Sequence, residues 1–191
     1  MSYDEIITKT DELNQNIDLI VNDLHSKISS ITDSIKTLKR EDSLKYQYEL
    51  ERDYYQILKY NNQIKRFELY KERCKFYKEY LKYIQTNDIL NIKRNEYNYI
   101  KILQDEVVFF FDSKENELKQ RATIQKIVGK EPVAYDMIKE LKEDRDHKIN
   151  WFLKKEFYID PERIYSLDYL NYDVIEVVNL IYKPKGKKKI A

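Results

Sequence analysis

Glycine and proline are nearly missing from this chain. Among its 191 residues there are two glycines, three prolines and three alanines, and neither glycine nor proline occurs before Gly129 and Pro132. A run of 128 residues without either breaker excludes a turn-rich, many-stranded fold over that span. It also excludes the Gly-rich phosphate loop that nucleotide hydrolysis of the P-loop type requires. Cys74 is the single cysteine, so there is no intrachain disulfide framework and no Cys-based zinc cluster, and a reducing interior is the expected compartment. Long apolar runs are missing too. The longest, Val107 to Phe111, has five residues, against the ~20 needed to span a bilayer. The start, MSYDEIITKTDELNQ, lacks the basic and apolar regions of a signal peptide. A formal net charge of +1 gives no global drive onto nucleic acid or a membrane. A soluble chain without a membrane span is expected.

What is present points to folded helices. Charged residues make up 36% and the mean hydropathy is −0.77, but 42% hydrophobic and 14% aromatic residues argue against disorder. Lys, Ile, Tyr and Asn are abundant, all encoded by AT-rich codons, which by association suggests a viral or similarly AT-rich source. The expected place is therefore intracellular (cytoplasmic), or the virion. Leu13, Ile17, Ile20, Leu24, Ile28, Ile31, Ile35 and Leu38 recur at a mean step near 3.6 residues, with a double four that reads as a stutter. A second stripe runs through Leu50, Tyr54, Ile57, Asn61, Ile64, Phe67, Tyr70, Cys74, Tyr77, Leu81 and Ile84. A third runs through Ile92, Tyr99, Leu103, Val107, Phe110, Leu118 and Ile124.

Two soft breaks lie between them, at Arg40 to Ser43 and Gln85 to Asp88, each offering an N-cap for the next helix. The fold class expected is all-α. A long antiparallel coiled coil or three-helix bundle over 1–128 precedes a small, mainly helical region over 129–182 and a basic tail over 183–191. A single rod is the competing form of the first module. Residues 1–42 carry a net −4 and residues 43–85 a net +4, which suits two helices lying side by side. Pro132 fits the first turn of a helix from about 133 to 158, with Met137, Ile138, Leu141, Ile149, Phe152 and Leu153 facing inward. Asp160-Pro161-Glu162 reads as a further helix start. Residues 173–182 fit helix or strand, with helix favoured by the period.

Candidate chemistry is sparse. His25 lies beside the first apolar stripe, and His147 sits in a charged run. Asp144, Asp146 and His147 lack the second cluster a metal site needs. No catalytic, metal or cofactor residue is assigned. Cys74, between Tyr70 and Tyr77, reads as a packing residue.

Eleven of the eighteen tyrosines fall between Tyr46 and Tyr99. Tyr70, Tyr77, Tyr80 and Tyr83, interleaved with lysines, suit the edge of a thin bundle or a protein interface. Stacking on single-stranded nucleic acid is the rival reading. The expected function is a non-enzymatic scaffold or assembly subunit working by self-association or by contact with a protein partner, in a virus particle or a multi-subunit complex. The alternative is a nucleic-acid-binding factor. It would use the basic helix 43–85, a helix-turn-helix-like outline at 118–141, and the tail lysines Lys183, Lys185, Lys187, Lys188 and Lys189.

Overall fold

A computed structural model describes residues 2–42, 44–154 and 167–181. Those residues are 89% helical, with no strand among them. Three long helices, α1 (Tyr3–Glu41), α2 (Gln47–Gln85) and α3 (Ile89–Ile127), pack against each other. α4 (Ala134–Lys154), a short 3-10 turn (Leu167–Leu170) and α5 (Val174–Ile181) follow. The all-α antiparallel three-helix reading holds, and the chain folds back at both expected breaks.

Each terminus has a local chemical cause. Ser2 and Glu5 form a reciprocal capping box, Ser2 N–H donating to Glu5 Oε2 and Glu5 N–H to Ser2 Oγ. Asp42 Oδ1 accepts from the N–H groups of Leu44 and Lys45, and Asp88 Oδ1 from that of Asn91. α2 and α3 each end in a Schellman motif. Asp88 N–H reaches back to Tyr83 O with Asn87 at φ 53°, and Lys130 N–H reaches Gln125 O with Gly129 at φ 70°.

Asn tolerates the left-handed region, and β-branched side chains do not. Asn87→Val is therefore expected to cost about 1–2 kcal/mol. Asn87→Gly should be neutral or stabilise by a few tenths of a kcal/mol. Chemical denaturation of the exposed-site pair measures both; equal midpoints would show that the turn does not need the left-handed conformation.

By contact, the residues group into two compact units that cut across the long helices. Of the described residues, unit 1 holds 2–14, 69–107, 151–154 and 167–181, and unit 2 holds 15–42, 44–68 and 108–150. In unit 2, Glu51, Asn62 and Arg66 on α2 meet Gln120, Glu117 and Ser113 on α3 in reversed order, which is the signature of antiparallel helices. Arg145 and Lys142 pair with Asp112 and Glu115, fastening α4 to α3. In unit 1 the same reversal joins Arg73 and Glu79 to Glu106 and Asn95.

Several side chains sit elsewhere than the period suggested. Ile20 is 40% exposed while Ile17 is fully buried. The seam steps by four to Val21 and then by three to Leu24, so the strict heptad has no stutter here. Tyr54 is exposed and Asp53 takes the inward place, where the short carboxylate accepts from the Ser34 hydroxyl. Asn61 is solvated, and its neighbour Asn62, half-buried, donates across to Glu117 and to Ser113 O. Phe111 is buried where Phe110 was expected, and Met137 faces outward beside the buried Ile138. Pro132 precedes α4 by two residues, and Gln125 Oε1 receives the Ala134 N–H. Residues 174–181 are helix, with Asp173 Oδ1 capping Ile175. The readings at Asp160 to Glu162, the end of α4 beyond 154, and the inward positions Ile149, Phe152 and Leu153 lie outside the described residues or side chains.

Candidate functional site: a carbonyl-reading seat on α2 and α3

Tyr70, Arg73, Cys74 and Tyr77 stand at i, i+3, i+4 and i+7 on α2 and so share one helix face. Tyr99, Leu103, Glu106 and Val107, at i, i+4, i+7 and i+8, likewise share one face of α3. Packed together, the two faces place Arg73 wholly out of solvent and Glu106 nearly so. Arg73 donates from Nε to Glu106 Oε2 at 2.9 Å and from Nη2 to Oε1 at 3.2 Å, a bidentate fork. Its remaining donors reach the C-terminal segment, Nη1 to Asn171 O at 2.6 Å and Nη2 to Tyr172 O at 3.3 Å. The Tyr70 hydroxyl donates to Leu170 O at 2.6 Å, and the Tyr99 hydroxyl to Tyr169 O at 3.5 Å.

Four consecutive main-chain carbonyls, 169 to 172, are thus held by three side chains. The physical reason is local. The last carbonyls of the 3-10 turn have no partner within the turn and must find donors where Tyr169 and Leu170 bury the chain. The rings add shape: Tyr77 stacks on Tyr169 at 5.8 Å and 6°, and Tyr70 lies against Tyr172 at 4.6 Å. The Arg73 guanidinium sits 4.8 Å over the Tyr70 ring. Val174, Val177 and Val178 of α5 are buried as well.

Burial dominates the electrostatics of the seat. Burial pushes the Cys74 thiol up to about 11, so thiolate is scarce at neutral pH. Burial likewise raises the Tyr70 and Tyr99 hydroxyls, which remain donors. Burial opposes the Arg73 charge, but Glu106 outweighs it and keeps the guanidinium charged. Burial raises Glu106 above the ordinary 4.5, with Arg73 pulling the other way.

This last shift has a sign. With its folded value raised, Glu106 binds protons more readily in the native state, so its contribution to stability grows as pH falls from neutrality toward 4.5. Glu5, Asp88 and Glu115 are lowered, the first by the Ser2 N–H, the second by the Asn91 amide and the third by Lys119. Their contributions are full above 4.5, 3.8 and 4.5 and are lost as pH falls through their folded values. Thermal melts between about pH 3 and 8 should therefore peak on the acid side of neutrality. Glu106→Gln should flatten the limb between pH 7 and the peak, and an unaltered limb would refute the assignment.

Of the residues singled out from sequence, Tyr70, Tyr77 and Tyr80 are buried within the chain's own core, and Tyr83 is half-buried. Tyr83, Glu79, Arg94, Asn95 and Asn98 line a polar cleft of about 190 Å³ between α2 and α3. There the buried Asn95 donates to Glu79 Oε2 at 3.3 Å. The five tail lysines lie outside the described residues. His25 and His147 are exposed, and no metal-holding cluster occurs among the described residues. No described helix is long and apolar enough to cross a membrane. Sequence reasoning missed Arg73 and Glu106. The available signal was one cation and one anion on otherwise apolar stripes of neighbouring helices. It is obscured because α2 carries charge all round.

Comparison with protein-family models, with curated proteins and with solved structures finds no match to this chain.

Proposed function

We propose that this chain is a non-enzymatic helical scaffold or assembly subunit that works through protein–protein contacts, within a virus particle or another multi-subunit complex. One observation carries the reading: a buried guanidinium, Arg73, held by the Glu106 carboxylate, is spent on gripping a length of main chain. Groups arranged to read consecutive carbonyls recognise polypeptide. Two of the tyrosines that could have stacked on bases, Tyr70 and Tyr77, are used in the same grip. Size-exclusion chromatography with light scattering, run with and without generic DNA or RNA, tests the proposal. Self-association that is independent of nucleic acid is the expected result. A monomer at every concentration that shifts only with DNA or RNA, at physiological salt, would instead establish the nucleic-acid-binding reading.

A further inference from the structure

We infer that the polar cleft between α2 and α3 binds a small primary ammonium, of the size of a lysine side chain. The proposal is independent of the assembly reading above. It starts from an imbalance at Asn95, which is 4% exposed. Its Nδ2 donates to Glu79 Oε2, while its Oδ1 has no hydrogen-bond partner. The carboxylate fixes which end of the amide is which, because turning the amide over would set two acceptors against each other. A buried acceptor left without a donor is costly, and in native structures such a group calls for a water, an ion or a ligand.

The neighbours ask for the same chemistry. Glu79 is half-buried, and among the described residues its carboxylate pairs with no cation. Lys78 is taken by Asp11, and neither Lys75 nor Lys82, one turn away on either side, pairs with it. Asn91 spends its Nδ2 and its main-chain N–H on Asp88, which leaves its side-chain oxygen as the group it can offer. Acceptors from both helices thus line one cleft, Glu79 from α2 and Asn91 and Asn95 from α3, with the rings of Phe76 and Tyr83 beside them. An ammonium supplies what these groups lack: N–H donors for the oxygens, a counter-charge for the carboxylate, and a cation with an apolar stem for the rings. Arg94 lines the cleft too, but as an exposed side chain whose charge is weakened by water.

Size and ligand count narrow the occupant further. A volume of about 190 Å³ holds roughly six waters at ~30 Å³ each. A nitrogen on a stem of about four carbons fills that space, and a nucleotide does not fit it. One carboxylate and two amide oxygens fall short of the roughly six to eight oxygens that a calcium ion takes.

The test uses n-butylammonium as the probe and amide proton–nitrogen spectra of the full chain as the readout. The amides of Glu79, Tyr83, Asn91 and Asn95 should shift saturably, with a Kd of about 1 mM or tighter. Tetramethylammonium keeps the charge without N–H donors, and butanol keeps the size without the charge. Each should bind at least about ten-fold more weakly. Glu79→Gln and Asn95→Leu should each lower the affinity for butylammonium by about ten-fold or more. Circular dichroism melts verify the fold of both variants, and the isosteric Glu79→Gln keeps the test available if Asn95→Leu unfolds.

No saturable shift at concentrations well above the expected Kd would mean that water alone fills the cleft, and would overturn the proposal. So would equal binding by butanol or tetramethylammonium, shifts confined to another part of the chain, or an unchanged affinity in Glu79→Gln. Acetyl-lysine methylamide separates the two sources of such a group once butylammonium binds as expected. Binding as tight as butylammonium's assigns the site to a lysine carried on a polypeptide, and much weaker binding assigns it to a free amine.

Discussion

Arg73→Leu is expected to lower the unfolding free energy by about 3–5 kcal/mol, as breaking a buried ion pair from one side does. The loss has two parts. Glu106 is left buried without its counter-charge, and the carbonyls of Asn171 and Tyr172 are left without donors. The two can be separated. Arg73→Leu combined with Glu106→Leu removes the stranded carboxylate and should recover part of the stability, because apolar replacement of a whole buried pair is often neutral or better. Full recovery is not expected, since the carbonyls still lack donors. A total stability of ~5–15 kcal/mol is usual for a domain, so the single variant gives up a large share of it. Denaturant titrations of the parent, both single variants and the double variant form the required cycle. An Arg73→Leu midpoint equal to the parent's would show that the pair is not buried as described.

The second large effect is a contrast between neighbours on α1. Ile17→Asp should abolish cooperative folding of unit 2. Truncation of such a buried side chain to Ala alone costs ~2–5 kcal/mol, and an unpaired buried carboxylate adds to that. Ile20→Asp should cost about 1 kcal/mol or less, because a 40% exposed side chain lets the charge reach water. Thermal melts followed by circular dichroism distinguish the two. Equal destabilisation by both would restore Ile20 to the seam and bring back the stutter.

That contrast also marks how far local pattern reaches. A period near 3.6 cannot choose between a step of three to Ile20 and a step of four to Val21, since both keep an apolar residue on the stripe. The choice is made by the surfaces α1 packs on. Similarly, Tyr54 and Asp53 are adjacent candidates for one inward place, and burial goes to the smaller, hydrogen-bonded side chain because Ser34 stands opposite. Tyr54 keeps its hydroxyl wet and its ring 5.4 Å from the Lys39 ammonium. Asn61 and Asn62 differ in the same way, decided by Glu117 and Ser113 on another helix.

The sequence by itself determined that this chain is helical, where the helices break and how they are capped. Those are properties of neighbours in the chain: no glycine or proline before Gly129, apolar spacing near 3.6, and Asp42, Asp88 and Asp173 placed to accept the first free N–H groups. The tertiary structure alone decided that Arg73 finds Glu106, 33 residues away, and that Arg73 so held donates to carbonyls 98 and 99 residues from it. A buried charge is tolerated only where distant parts of the chain supply its counter-charge and acceptors, and no local pattern carries that information.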